Sequence, residues 1–320
     1  MAISPSPIRV LFSAGEASGD AFAALLTEAI RETCLEQYDL KFMGIGGARS
    51  EAAGMELVAR SSSWGAIGVL QALKVVPRVW SNHYKMKRLM QRGRPGLFIP
   101  IDFGFMNIRL ARHAKNNGWK VLYFIPPGSW RRDRQGKDLP TVTDAIVTPF
   151  PWSAEILEKM GANVFWFGHP VKQVVESRKQ EIGALERTSL AILPGSRLHE
   201  IEANLPVLVK TVEPLDSPLV IAVAPGSDAE DLRRRWKVLG GRPAEFVTGN
   251  TLKALLGARA ALVCSGTATL EAALCNCPTV VLYGFTSAMK FEARFFRLQR
   301  PEYIALPNIL LNRSLVPEHV

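Results

Sequence analysis

The stretch Ile8-Arg9-Val10-Leu11-Phe12-Ser13-Ala14-Gly15-Glu16-Ala17-Ser18-Gly19-Asp20 decides how the chain is read. Ile8–Ser13 is an apolar run of strand length. Ala14–Asp20 is a turn of small residues, and a helical pattern follows from Ala21 to about Thr33. Strand, tight turn and helix make the first half of a βαβ unit. Glycines let a ligand approach the backbone, and the first helical turn offers unpaired amides. The spacing is not GxGxxG, and Glu16 would repel a phosphate, so no dinucleotide site is expected there. Two readings stay open. One is a plain βα turn whose Asp20 suits the helix macrodipole. In the other, Glu16 points at sugar hydroxyls.

The same alternation continues on both sides of this turn. Apolar runs at Leu40–Ile45, Leu97–Ile101, Lys120–Ile125, Ala145–Thr148 and Val164–Phe167 read as strands, with a helix to about Asn116. After a Gly-His-Pro turn and a polar helix near His169–Lys179, the style repeats. Ser189–Leu193, Leu219–Ala224, Ala260–Cys264 and Thr279–Tyr283 read as strands, and a helix is expected from about Thr269. The pattern predicts an α/β fold of parallel sheets, with one domain over residues 1–172 and another over 173–320. A chain of 320 residues suits two such domains.

Composition narrows the function classes. Hydrophobic residues make up 48% and charged residues 21%, as in a globular protein. No uncharged apolar run is long enough to span a bilayer, and Met1–Val10 does not read as a signal peptide, so a cytoplasmic location is expected. Cys34, Cys264, Cys275 and Cys277 form no metal-ligand pattern, and Cys264 reads as a buried small hydrophobe. The net charge is +10, and from Lys74 to Arg134 fourteen Lys and Arg face only Asp102 and Asp133, a local balance of +12. Such a stretch is either a solvated basic face or a surface for an anion. Aromatic interleaving of the RNA-binding kind is absent, which favours a phosphorylated substrate or an anionic membrane over nucleic acid.

Ligands of open parallel sheets bind at the carboxyl ends of the strands. Asp102 follows the run Leu97–Ile101 and reads either as a helix N-cap or as a general base at a cleft rim. Pro194-Gly195-Ser196-Arg197 follows another strand. Arg197 either grips a phosphate bidentately or pairs with Glu200 or Glu202 on the next helical turn. Ser265, Gly266 and Thr267 open a helix and make an anion site, with Glu271 one turn on, facing a ribose diol or solvent. Trp64–Trp80 is rich in Ile, Val, Leu and Trp and runs into Lys85, Lys87, Arg88, Arg92 and Arg94. It is either an interfacial patch or a buried helix with a basic flank.

These residues are also where the chain resembles the lipid-A-disaccharide synthases. Ser13–Asp20 is similar to that family's Gly-Glu-x-Ser-Gly-Asp opening. The likeness continues through Phe42–Gly47, Ile101-Asp102 with Asn107, and Phe167–Pro170. It runs on through Leu193–Arg197 with Glu200, Ser265–Ala268 with Glu271, and Leu306-Pro307-Asn308. The resemblance implies a GT-B fold, two Rossmann-like domains facing across a cleft. It implies inverting transfer of a diacylglucosamine from UDP to the 6-hydroxyl of a diacylglucosamine 1-phosphate, forming a β-1,6 link without a metal or other cofactor. Glu16 and Asp102 would serve the chemistry. Gly195, Ser196, Arg197, Glu200, Ser265, Gly266, Thr267, Glu271 and Asn308 would serve the donor. Trp64, Ile67, Val69, Leu70, Trp80, Lys85, Lys87, Arg88 and Trp130 would serve the acceptor and an anionic membrane surface. The family's long C-terminal segment implies a homodimer, and the few residues after Asn308 predict a shortened C-terminus.

The chain departs from the family in its first half. Phe105 stands where a second Asp is usual, and Tyr123–Arg132 carries only Trp130 where a Trp-x-Trp stretch is usual. Rival readings are another UDP-sugar enzyme of the same fold, a dehydrogenase, and a non-catalytic relative that binds nucleotide sugar or anionic lipid.

Overall fold

A computed structural model describes residues 7–15, 17–34, 36–61, 69–225, 227–284 and 302–320. Contacts divide the chain into two compact units, with the break at Pro170 and Val171.

The first unit is a seven-stranded parallel sheet. Its strands are β1 (Ile8–Ala14), β2 (Leu40–Gly46), β3 (Glu56–Arg60), β4 (Leu97–Ile101), β5 (Lys120–Phe124), β6 (Ala145–Val147) and β7 (Val164–Phe165). They lie in the order β3-β2-β1-β4-β5-β6-β7. The helices between them are α1 (Ala17–Cys34), α2 (Ala48–Ala52), α3 (Val69–Gln91), α4 (Gly104–Asn116), α5 (Leu139–Val142) and α6 (Pro151–Lys159). Val10–Ala14 are all buried, as a central parallel strand requires. Leu11, Met43, Ile45 and Phe98 of the sheet meet Met86 and Met90 of α3 and Leu110 of α4 in one core. Trp119 closes it, its indole N–H donating to the Met90 carbonyl at 2.9 Å.

Asp20, expected to complement a helix dipole, does more. It is 7% exposed and accepts from the amides of Gly47, Arg49 and Ser50 and from the Ser50 hydroxyl. The carboxylate of α1 therefore caps α2, and the Gly47 backbone lies so close that a Cβ there would sit 2.6 Å from the Asp20 oxygen.

The second unit is a six-stranded parallel sheet in the order β10-β9-β8-β11-β12-β13. Its strands are β8 (Ser189–Leu193), β9 (Leu219–Val223), β10 (Glu245–Thr248), β11 (Ala258–Cys264), β12 (Thr279–Leu282) and β13 (Glu318–His319). Its helices are α7 (Val171–Ile182), α8 (Leu198–Val212), α9 (Ala229–Val238), α10 (Thr251–Leu256), α11 (Thr267–Leu274) and α12 (Leu306–Leu311). Ile192, Ile221 and Val223 pack against Leu205 and Leu208 of α8 and Trp236 of α9. Cys264 is buried, as expected of a small hydrophobe.

Candidate active site

Each sheet reverses its strand order once, and a crevice for ligand opens at such a switch point. In the first unit the reversal lies between β1 and β4, where Ala14 pairs with Ile101. Gly15 and Asp102 follow those two residues directly. Gly15 is buried under Phe103, and a Cβ on it would meet the Phe103 ring at 2.6 Å. Glu16 lies outside the described residues.

Asp102 and Phe103 are both left-handed, with φ of 46° and 45°. For a non-glycine residue this costs on the order of 1 kcal/mol or more and persists only where the surroundings dictate it. Here Asn107 and Tyr123 dictate it. The Asn107 amide is wholly buried and donates to the carbonyls of Ser13, Ile101 and Asp102 at 2.9–3.0 Å. Its oxygen accepts from the Ser13 hydroxyl at 2.6 Å. The Tyr123 hydroxyl donates to the Asp102 carbonyl at 2.9 Å. Burial first, and the Asp102 charge second, push the Tyr123 phenol well above its ordinary value, so it stays a donor. The Asp102 carbonyl thus turns inward, while the residue itself is exposed. The N-cap reading of Asp102 is corrected: Phe103 occupies the N-cap of α4, without a side-chain hydrogen bond.

In the second unit the reversal lies between β8 and β11, where Leu193 pairs with Val263. Topology therefore brings Pro194–Arg197 beside Ser265–Thr267. Gly195 has φ of +122°, and a Cβ on it would lie 2.7 Å from the Glu200 Cβ. Glu200 is 4% exposed and accepts from the amides of Ser196 and Arg197 and from the Arg197 guanidinium at 2.8 Å. It holds the loop from within, and in this state Arg197 makes the intrahelical pairing weighed above. Asn204 braces the same loop from α8: its amide donates to the Pro194 carbonyl at 3.1 Å, and its oxygen accepts from the Gly284 amide at 2.7 Å. Burial raises the Cys264 thiol behind the loop to about 12, which keeps it protonated and inert.

Gly266 is the N-cap of α11 and has open space beside it. Helix α11 starts at Thr267, two residues before the expected position. The Ser265 hydroxyl donates to the Ile304 carbonyl at 2.7 Å, and Thr269 binds both the Gly266 carbonyl and the Leu306 amide. Glu271 is partly buried one turn along. Asn308 is wholly buried. Its amide donates to Val316 and Glu318, and its oxygen accepts from the amides of Leu315 and Val316. All its hydrogen-bonding atoms serve the chain itself, so it shapes the segment beside α11. Among the described residues no group of three His, Cys, Asp or Glu is gathered to hold a metal ion.

The acceptor and membrane residues fall on two elements. Trp80 is 50% exposed on α3, beside exposed Lys85 and Arg88 and partly buried Lys87. Tyr84, which the sequence did not single out, is 59% exposed between them, with Arg88 stacked over its ring. Val79, Met86 and Met90 of the same helix are buried, so α3 is core on one face and bare on the other. Val69 and Leu70 lie in its first turn. Trp64 and Ile67 lie outside the described residues. Trp130 is 47% exposed in the loop after β5, next to Arg131. Among the described residues, no helix is long and apolar enough to cross a membrane.

The lipid-A-disaccharide synthetase family model matches residues 10–320. A lipid-A-disaccharide synthase of Myxococcus xanthus is 32% identical, covering 98% of this chain and 84% of that protein. One from Synechocystis is 29% identical over 97% of this chain and 84% of its own length. Among solved structures, a UDP-GlcNAc 2-epimerase from Neisseria meningitidis bound to UDP-GlcNAc superposes with a TM-score of 0.63 at 11% identity. It covers 95% of this chain and 90% of that one. At that identity the likeness speaks for the fold, which is GT-B.

Proposed function

Since the chain belongs to the lipid-A-disaccharide synthetase family, we propose that it transfers a diacylglucosamine from UDP to the 6-hydroxyl of a diacylglucosamine 1-phosphate. It is a UDP-sugar-dependent glycosyltransferase. The observation that carries the assignment of roles is the contrast between its two switch points. One presents a carboxylate on a braced left-handed turn. The other pairs an arginine loop with an open helix start.

Asp102 takes the proton of the acceptor hydroxyl as its oxygen attacks the anomeric carbon. The bond from that carbon to the UDP oxygen breaks, UDP leaves, and the centre inverts to a β-1,6 link. Arg197 and the first amides of α11 meet the charge that grows on the diphosphate. Glu200 and Asn204 keep that loop in place, Glu271 meets the ribose, and Glu16 assists at the acceptor. Asn308 acts by shaping the α11 side of the site. Two acylated substrates require contact with a bilayer. Trp80, Tyr84 and Trp130 with the cations of α3 therefore hold the enzyme peripherally on an anionic surface, the cytoplasmic face of the inner membrane, as a homodimer.

The test is incubation with UDP-diacylglucosamine and diacylglucosamine 1-phosphate, following UDP release and product mass. A disaccharide 1-phosphate with four acyl chains is expected. UDP release that proceeds equally without the lipid acceptor would overturn the reading in favour of a hydrolase.

A further inference from the structure

Glu318 stands on β13, the edge strand of the second sheet, where it pairs with Val281 of β12. Its carboxylate reaches the segment that leads into α12. One oxygen accepts from the Ala305 amide and from the Asn308 side-chain amide, both at 2.8 Å. The Ile304 amide donates to both oxygens at 3.1 Å. Ala305 is the N-cap of α12 and has no side chain able to cap it. A carboxylate from the edge strand therefore takes the place of a local cap and fixes the backbone of Ile304 and Ala305.

What Glu318 fixes is itself a partner of the α11 start. The Ile304 carbonyl accepts from the Ser265 hydroxyl at 2.7 Å, and the Leu306 amide donates to the Thr269 hydroxyl at 3.1 Å. Thr269 is buried and donates in turn to the Gly266 carbonyl at 2.8 Å. Ser265 and Thr269 lie on either side of Gly266, the N-cap of α11. A path of hydrogen bonds thus runs from Glu318, through Ile304–Leu306, to both sides of that N-cap. Groups that bind a ligand lose effect when they shift by about 0.5 Å, so what locks them matters as much as what they touch.

We propose that Glu318 is a positioning residue for the UDP-sugar: it fastens Ile304–Leu306 and through them sets the first turn of α11, which meets the diphosphate. This rests on the donor reading above and adds to it a residue at the far edge of the sheet. Glu318 touches the ligand nowhere in this scheme. Its influence passes through Ser265 and Thr269, so it bears on the donor and leaves the lipid acceptor alone.

The experiment is calorimetric titration of the full chain with UDP, well below its melting range, alongside steady-state transfer. Glu318→Ala is expected to weaken UDP binding about tenfold and to raise the KM for the UDP-sugar in proportion, with the KM for the lipid acceptor unchanged. Glu318→Gln keeps an oxygen for Ala305 and Asn308 and is expected to come within about threefold of the wild type. In a Ser265→Ala, Thr269→Val background, where the path is already cut, Glu318→Ala should cost no further UDP affinity. Should melting show Glu318→Ala unfolded, Thr269→Val alone cuts the path at its other end: a loss of about threefold is expected, and no loss would overturn the proposal. Unchanged UDP affinity in folded Glu318→Ala, or the same loss in both backgrounds, would overturn the role of Glu318 and leave the donor reading standing. A wild type that binds no UDP would overturn both.

Discussion

The two sheets reverse direction by the same topology, yet the two switch points are built from opposite chemistry. In the first unit, Asp102 stands on a backbone that two consecutive left-handed residues bend outward. In the second, the turns are held by glycines, Gly195 where a Cβ would collide and Gly266 where one would be strained. Each is braced by a buried asparagine, Asn107 in one and Asn204 in the other. A carboxylate suits proton transfer, and a helix start beside an arginine suits a diphosphate. The difference is what the proposed division of the reaction into a base half and a leaving-group half rests on.

The sharpest way to break this division is Asp102→Asn. Turnover is expected to fall by about 10²–10⁴-fold, the range of a lost general base. UDP affinity, measured by calorimetry, should stay at the wild-type value. Near wild-type turnover would remove Asp102 from the chemistry. Asn107→Leu comes next. It removes the amide's bonds to the Ser13, Ile101 and Asp102 carbonyls and strands the buried Ser13 hydroxyl, leaving Tyr123 as the side-chain donor to Asp102, at a cost of about 3 kcal/mol in denaturant unfolding. Turnover should drop with it, because the turn under Asp102 loses what over-determines it. UDP binding by the other unit should survive. Arg197→Ala reverses the pattern. UDP affinity is expected to fall about tenfold to a hundredfold, the value of charge-assisted hydrogen bonds. Unchanged UDP affinity would mean that the arginine serves only its pairing with Glu200.

How much of this was readable before folding follows from where each residue sits. Central strands were legible because burial on both faces leaves unbroken apolar runs, as in Ser189–Leu193. The strands without a clear apolar run, β3, β10 and β13, lie at sheet edges. Glu56, Arg60, Glu245 and Glu318 break their apolar pattern. Turns at strand ends were legible through their Gly, Pro and Ser. That the arginine loop lies beside the α11 start was not, since only the pairing of β8 with β11 joins them. The brace from Asn107 to Ser13 spans 94 residues and has no local signature. Nor has the left-handed turn at Asp102, which local propensity opposes.

A smaller effect tests whether the units also differ in how they bury histidine. His169 ends the first unit, edge-on to Phe150, which stacks on Trp152. Burial alone lowers its pKa to about 4. His199, in the first turn of α8, is also lowered chiefly by burial, but Glu200 and Glu202 oppose the shift while Arg197 adds to it. A histidine with a depressed folded pKa stabilises fully above its unfolded value of 6.5, and that stability is lost as pH falls toward the folded value. For His169 the loss between pH 7 and pH 5 is about 2 kcal/mol. His169→Gln should therefore flatten the acid limb of the unfolding free energy by about that amount. His199→Gln should flatten it less, because neighbouring carboxylates already make its protonation easier. Equal flattening would mean that the carboxylates around Arg197 do not reach His199. An unchanged limb in His169→Gln would mean that the ring is wet and the first unit no drier than the second.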